Sequence, residues 1–522
     1  MTDNGFDNGN FVQDPDGVAG SPDLAKPADD GPKHQLEPAV PQRKLSIASM
    51  VIAAVLVLCG IAGIVVICLV GVLPTWALVL SLVVDVILVG GLATLLLASG
   101  PKKHSVRFWI STVLAVVVMV ANLGVVKFGT DYLHFGHSIQ APASDTVLYD
   151  IVVMNNGGPS DVSQLAGGQM GDVQDDPLSA PVQAKVLSLA KVSFVSSTPW
   201  TATVEALTGS AVSSIVIQDG YMQILEDSDP DTYALLKVLT SFDIDSSLAT
   251  AAPSGPSASA TSAAPVAPGG SYILYISGID TYGNINDRSR SDVNILVVVN
   301  PSTGKILLVN TPRDFYVQLA GTTGLKDKLT HSGVYGINVS VGTMQDLYGI
   351  TINYYLRINF SSLVTVIDAL GGVDVNSAYN FSYGGYTFTT GMNHLNGAAA
   401  LAFSRDRHDF AEGDRTRGEN QERVIEGVIN KLEDPSVLMN YQQILSGIQS
   451  SIQTSMPPDV ISQQVKQQLT TNQKWNVTAT SVTGSDSLSY TYSYPNQRLY
   501  VMVPDQSTVD AAKAQIQSTL NG

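Results

Sequence analysis

The chain has 522 residues, of which 45% are hydrophobic and only 14% charged, and its formal net charge is −17. A chain this acidic, with no basic arm or lysine-rich helix, repels the phosphates on which nucleic-acid affinity rests, so nucleic acid is excluded as a partner. Its two cysteines, Cys59 and Cys68, share one apolar run, which leaves no disulfide framework or cysteine metal site for the remainder.

Residues 1–44 are rich in Asp, Gly and Pro with almost no apolar periodicity, the composition of a disordered tail. Three apolar segments follow, at about Ser46–Val70, Trp76–Ala98 and Phe108–Val126. Each is near the ~20 residues a helix needs to cross the hydrocarbon core. The first lies too far from the start for a cleaved signal peptide. Arg43 and Lys44 precede the first segment, and Lys102, Lys103 and Arg107 separate the second from the third. Basic flanks stay cytoplasmic, so both clusters predict one topology: the tail inside and everything after Val126 outside the cell membrane. Asp85 stands within the second segment, where a carboxylate is costly and marks either a function or an interhelical partner.

Between residues 145 and 248, "VLYDIVVMN", "VSFVSS" and "VSSIVIQDG" read as strands. "SDVSQLAG", "PVQAKVLSLAKV" and "WTATVEALTGS" read as helices. This alternation predicts a small α/β accessory domain with parallel strand pairs. The Ala/Pro/Ser run 249–270 reads as a linker. Residues 271–522 form the second exported unit.

Ser271–Ser277 alternates as a strand, with Asp280 just past its end. Val293–Val299 reads as a buried strand, "NPSTG" as a turn and Lys305–Thr311 as the return strand. An antiparallel hairpin brings the start of one arm beside the end of the other. Arg290 and Asp292, before the first arm, therefore come beside Arg313 and Asp314, after the second. Guanidinium groups match phosphate or carboxylate oxygens two at a time, and aspartates suit a metal or an arginine. Such a cluster fits a metal diphosphate, and it also fits a plain salt-bridge network.

"SRDRHDFAEGDRTRG", residues 404–418, concentrates charge in a chain otherwise poor in it. The preceding "HLNGAAALAF" reads as a short packed helix ending near Phe403. Arg405 and Arg407, two apart, point the same way if the backbone is extended. Arg417–Asn430 reads as a helix with Val424, Ile425, Val428 and Ile429 on its apolar face. Arg417 stands at its start, where free N–H groups favour an anion, and Gln421 lies one turn on along the same face. "LVTVIDALGGVDV" and "VIEGVIN" supply apolar faces suited to core or to a lipid site. "SYGGYTFTTG" reads as a loop of no assigned role. Further on, "QQILSGIQSSIQ" is helical in pattern, "WNVTATSV", "LSYTYSY" and "RLYVMV" alternate as strands, and "STVDAAKAQIQSTL" is an amphipathic helix.

"SGID…RSRSD", "PRD", "KLTH", "DALGGVDV", "HLNGAAALAFSRDR" and "GDRTRGENQ", taken together in this order, resemble the LytR-CpsA-Psr family of cell-envelope proteins, closely over about residues 271–435. The resemblance implies an α-β-α sandwich with a mixed central sheet and a hydrophobic tunnel, which with the three N-terminal transmembrane helices and the accessory domain read above makes the fold class α/β. It implies a phosphotransferase that moves a glycopolymer, such as teichoic acid or capsule polysaccharide, from an undecaprenyl-pyrophosphate carrier to peptidoglycan as a phosphodiester, assisted by Mg2+. By the same resemblance Asp280 and Asp292 hold the metal, and Arg290, Arg313, Arg405, Arg407 and Arg417 surround the pyrophosphate. Asp314 completes the Pro-Arg-Asp motif, Asp414 lies near the attacking or leaving oxygen, Gln421 belongs to the substrate pocket, and Lys328 and His331 match a Lys…His segment assigned to the same pocket, with a structural histidine the equal alternative for His331. Hydrolysis of the lipid-linked diphosphate, or its non-catalytic binding, are the alternatives for the same site.

Overall fold

The computed structural model describes residues 46–71, 73, 75–99, 106–138, 146–249, 266–267, 269–279, 285–407, 410, 413–434, 437, 448 and 452–522. The expected tail, most of the linker and Asp280 lie outside the described residues. Of Asp414 only the backbone is described.

Three helices, Ile47–Val70, Thr75–Ser99 and Val106–Ser138, are long and apolar enough to cross a membrane. They pack through Leu56, Val89, Leu96 and Ala115. Asp85 has its partner here: the Asn122 amide donates to its Oδ1 at 2.9 Å. Gly63 lets the first helix approach this pair, because a Cβ there would collide with the Asn122 side chain. The third helix runs 12 residues beyond the expected Val126. Its 33 residues span about 50 Å, well over the ~30 Å hydrocarbon core. The excess docks on the second unit, residues 271–522, where the buried Tyr132 hydroxyl meets Ser462 Oγ at 2.7 Å.

The accessory domain is a five-stranded sheet in the order 193–197, 169–173, 214–218, 146–154, 236–245. The expected parallel pairs exist on one side, between 169–173 and each of its neighbours. The strand Thr146–Met154 is antiparallel to both of its neighbours, so the sheet is mixed. The "SDVSQLAG" helix is only a single 3-10 turn, Val162–Leu165.

The second unit is built on a six-stranded sheet ordered 452–454, 354–358, 272–279, 291–300, 305–310, 476–481. Strand 354–358 runs parallel to 272–279, as does 476–481 to 305–310, and the other pairings are antiparallel. Its central strands are apolar on both faces, which places helices on both. Leu296, Val298, Leu307 and Val309 pack against Val339, Met344, Val509 and Ile516 of the helices Ile337–Tyr348 and Gln506–Asn521. Ile295, Val297 and Leu308 face Ile425, Ile429 and Val460 of the helices Asp414–Leu432 and Pro458–Thr471. This is the expected α-β-α sandwich. The described end of the "QQILSGIQSSIQ" segment, Ile452–Thr454, is an edge strand rather than helix. The unassigned "SYGGYTFTTG" is a hairpin of Phe381–Tyr383 and Tyr386–Phe388, packed through Phe381 and Phe388 on Phe403.

The accessory domain and the sandwich share a core. Val334, Tyr494 and Leu499 of the sandwich join Trp200, Leu207 and Met222 of the accessory domain. The Trp200 indole donates to the Ser493 carbonyl at 2.8 Å.

Candidate functional site

The hairpin of strands Ser291–Asn300 and Lys305–Asn310 does what its equal arms predict. Beyond the last pair, Ile295 with Asn310, the chain ends converge, and Arg313 Nη1 donates to Asp292 Oδ2 at 2.9 Å. Asp292 lies inside the first strand rather than before it, and it is displaced from the ladder. Gly278 pairs with Val293 and Ile279 with Ser291, so Asp292 is the extra residue of a β-bulge, a device that re-aims a side chain. Gly278 makes room for it, since a Cβ there would lie 2.7 Å from Val293.

The charges around Asp292 alternate. Its Oδ1 accepts from the Thr330 hydroxyl at 2.7 Å. Burial pushes its carboxyl up. The guanidinium groups of Arg313, Arg290 and Arg417, with the Thr330 hydroxyl, outweigh burial and leave it well below the usual carboxylate range. Asp314 is paired with Lys328 at 2.5 Å and with Arg313 at 3.7 Å. Burial pushes Asp314 up too, and these two cations hold it low.

The helix Asp414–Leu432 brings the second arginine-rich segment to the same place. A small polar pocket is walled by Asp292, Thr311, Arg313, Arg417, Gln421 and Ser481, with Arg415 also at its edge. An apolar cavity of about 70 Å³ adjoins it, lined by Ile276, Phe360, Leu363, Leu401, Val424 and Ile425, with Arg405 at its rim. Asp292 and Gln421 belong to both linings, so the two spaces meet at these residues. Gln421 also donates to the Ser404 carbonyl at 3.4 Å, tying this helix to Gly397–Arg405.

The structure thus gathers Arg313, Asp292, Arg417, Gln421 and Arg405, with Asp314 and Lys328 supporting Arg313 from behind. Several expectations are placed differently, Lys328 among them, which lines neither pocket and pairs with Asp314. Arg405 ends a helix instead of lying on extended backbone, and its guanidinium stacks 4.4 Å from the Phe360 ring centre, while Arg407 beyond it is exposed. His331 is buried and bonded through Nδ1 to Asp327 at 2.7 Å, so it braces the turn carrying Thr330 and lines neither pocket. Arg290 lines neither pocket; its Nη1 pairs with Asp227 of the accessory domain. Thr330 and Phe360 join the site without a motif of their own to mark them. Thr330 sits inside "KLTH" and was open to notice; nothing local marks Phe360.

These features define a membrane-anchored α/β protein with an arginine-lined polar pocket opening onto an apolar cavity. The chain belongs to the LytR_cpsA_psr family, whose sequence model matches residues 238–516. It is 36% identical over 191 residues to the polyisoprenyl-teichoic acid–peptidoglycan teichoic acid transferase TagU of Enterococcus faecalis, a match covering 36% of this chain and 62% of that one. To the TagU of Bacillus subtilis it is 34% identical over 189 residues, covering 36% and 61%. The chain therefore spans about three fifths of the length of the curated relatives it matches. Among solved structures, B. subtilis TagV is 27% identical, with 48% of this chain and 98% of that chain covered and a TM-score of 0.41. A structure of TagT bound to LIIa-WTA is 24% identical, with 49% and 94% covered and a TM-score of 0.39.

Proposed function

We propose that this protein transfers a glycopolymer from a polyprenyl-diphosphate carrier to peptidoglycan, outside the cell membrane. The observation that carries the reading is the pair of adjoining spaces sharing Asp292 and Gln421, one lined with guanidinium groups and one with apolar side chains. That pairing suits an amphiphile with a multiply charged head and a prenyl tail. The names of the relatives, which pair a polyisoprenyl-linked teichoic acid with peptidoglycan, support the same substrate class. The basic flanks of the apolar helices support the outward placement of the site.

In the reaction, an acceptor hydroxyl oxygen attacks the phosphorus bearing the glycan. The bond to the bridging oxygen breaks, polyprenyl phosphate leaves, and the hydroxyl proton is lost to a base or to solvent. Such transfers depend on positioning and charge neutralisation more than on covalent help. Arg313 and Arg417 hold the diphosphate oxygens, Arg405 binds at the junction with the prenyl chain, and the apolar cavity takes the isoprene units nearest the head. Asp292 keeps Arg313 and Arg417 oriented. Asp414, as a candidate base for the acceptor, remains part of the proposal, as does Arg407 at the rim.

Asp292 fits a Mg2+ ligand. It is held ionised and each oxygen accepts one protein hydrogen bond, which leaves lone pairs for a cation that also takes phosphate oxygens and water. Asp280 remains the expected second carboxylate. When bound, Mg2+ supplies neutralisation of charge on the phosphate oxygens.

The test is product analysis. Full-length protein in detergent is incubated with Mg2+, a defined polyprenyl-diphosphate-linked glycan and peptidoglycan, and the products are identified by mass spectrometry. A phosphodiester-linked glycan with stoichiometric polyprenyl phosphate supports transfer. Free phosphorylated glycan supports hydrolysis, and unchanged donor supports binding alone.

A further inference from the structure

The helix Asp219–Ser228 of the accessory domain rests directly on the arginine cluster. Gly220, Gln223 and Asp227 share one face of it, spaced three and four apart. At Gly220 the helix touches the turn that carries Thr330, since a Cβ there would lie 2.6 Å from Val334. At Gln223 it grips the segment before Asp292: Oε1 accepts from Ser289 Oγ at 2.9 Å and from the Arg290 amide at 3.3 Å. The Gln223 amide cannot turn over without loss, because its Nε2 donates to Asp219 at 2.6 Å. At Asp227 the carboxylate pairs with Arg290 Nη1.

The pair is asymmetric. The Arg290 side chain is 6% exposed and that of Asp227 34% exposed. The guanidinium is therefore fixed within the sandwich, while the acid reaches it from the other domain. Arg290 stands two residues before Asp292 and helps hold its carboxyl ionised. A buried guanidinium keeps one direction only while its partners hold it there.

We propose that the accessory domain completes the site: Asp227 and Gln223 are positioning residues that hold Arg290 against the Asp292 cluster, so that its charge acts on the diphosphate. The inference rests on the diphosphate part of the proposed function. The accessory domain then has a definite task, that of a buttress behind Asp292 and the pocket it lines.

The experiment measures binding of farnesyl diphosphate with Mg2+ to the full-length protein in detergent by calorimetry, for the wild type, Asp227→Asn and Asp227→Glu, beside the thermal unfolding midpoint of each. Loss of a charge-assisted partner predicts that Asp227→Asn raises Kd about tenfold, while Asp227→Glu stays within about threefold of wild type and both midpoints hold. The rescue by Glu separates positioning of a charge from general packing. Binding by Asp227→Asn as tight as wild type, or tighter, overturns the proposal; tighter binding would mean that Asp227 competes with the ligand for Arg290. Equal loss in both variants overturns it as well. A wild type that binds no farnesyl diphosphate overturns this inference and the diphosphate reading together. A wild type that binds it but links no glycan overturns only the transferase reading.

Discussion

Arg313 and Asp292, 21 positions apart in the chain, meet at 2.9 Å where the arms of one hairpin converge, and both are nearly buried. Around this pair the polar pocket, the apolar cavity and the Thr330 turn meet. Removing one member of such a buried pair leaves an uncompensated charge. Arg313→Ala is therefore expected to lower unfolding stability by about 3–5 kcal/mol, measured by chemical denaturation of the sandwich within the whole protein. Arg313→Lys restores most of that stability yet little of the diphosphate affinity, because an ammonium lacks the two-pronged geometry.

Lys328 and Asp314 form a second buried pair behind Arg313. Lys328→Met is expected to cost about 3–5 kcal/mol, whereas adding Asp314→Asn to it recovers more than half of the loss. The double variant still binds the diphosphate more weakly than wild type, since Asp314 no longer steadies Arg313. Denaturation midpoints and calorimetry on the same samples check both statements.

Glu422, on the helix that carries Arg417 and Gln421, is buried beside Ser481 and Asn310. Burial, with Glu419 nearby, pushes its carboxyl up to about 8. A raised acid is protonated in the folded state while the unfolded chain has already lost its proton. Its contribution is thus intact below about pH 4.5, the ordinary range for glutamate, and declines as pH rises toward 8, then levels. The slope in that window reaches up to about 1.4 kcal/mol per pH unit. Glu422→Gln is expected to flatten the stability-against-pH curve between pH 5 and 8, and denaturant titrations across that range test it.

The apolar cavity makes a different prediction. Leu401→Trp places a large ring among Leu363, Phe360 and Ile425. It is expected to raise KM for a long-chain polyprenyl donor by about tenfold while changing KM for a short-chain donor less than about threefold, as a lost apolar contact of one or two isoprene units implies. Equal effects on both donors would place the prenyl chain elsewhere.

Within the membrane, the Asn122 amide holds Asp85 across two helices. Asn122→Leu is expected to loosen the three-helix bundle by about 1–2 kcal/mol, read as a lower thermal midpoint in detergent, with little change in diphosphate affinity.

The hairpin contact was legible in the sequence because antiparallel pairing ties the ends of two equal arms together, so Arg290, Asp292, Arg313 and Asp314 had to share one edge. The sandwich was legible from strands apolar on both faces and flanking helices. What stayed hidden depends on distant partners. The bulge at Asp292 sits beside Gly278 of another strand, where a Cβ would collide with Val293. The partner of Arg290 comes from a helix 63 positions earlier, in the other domain. Arg405 was expected on extended backbone, but the packed helix Gly397–Arg405 continues two residues further and aims it at Phe360. His331 looked like a pocket residue in "KLTH", and Asp327, four positions before it, claims it for the interior.

The most direct measurement of the central claim is glycan transfer by full-length Arg313→Ala and Arg405→Ala beside the wild type, with Mg2+, a defined polyprenyl-diphosphate donor and peptidoglycan. Linked product from the wild type, and a loss of about 100-fold or more in each variant, is the predicted result. Undiminished transfer in both variants would contradict the assignment of this cluster to the reaction.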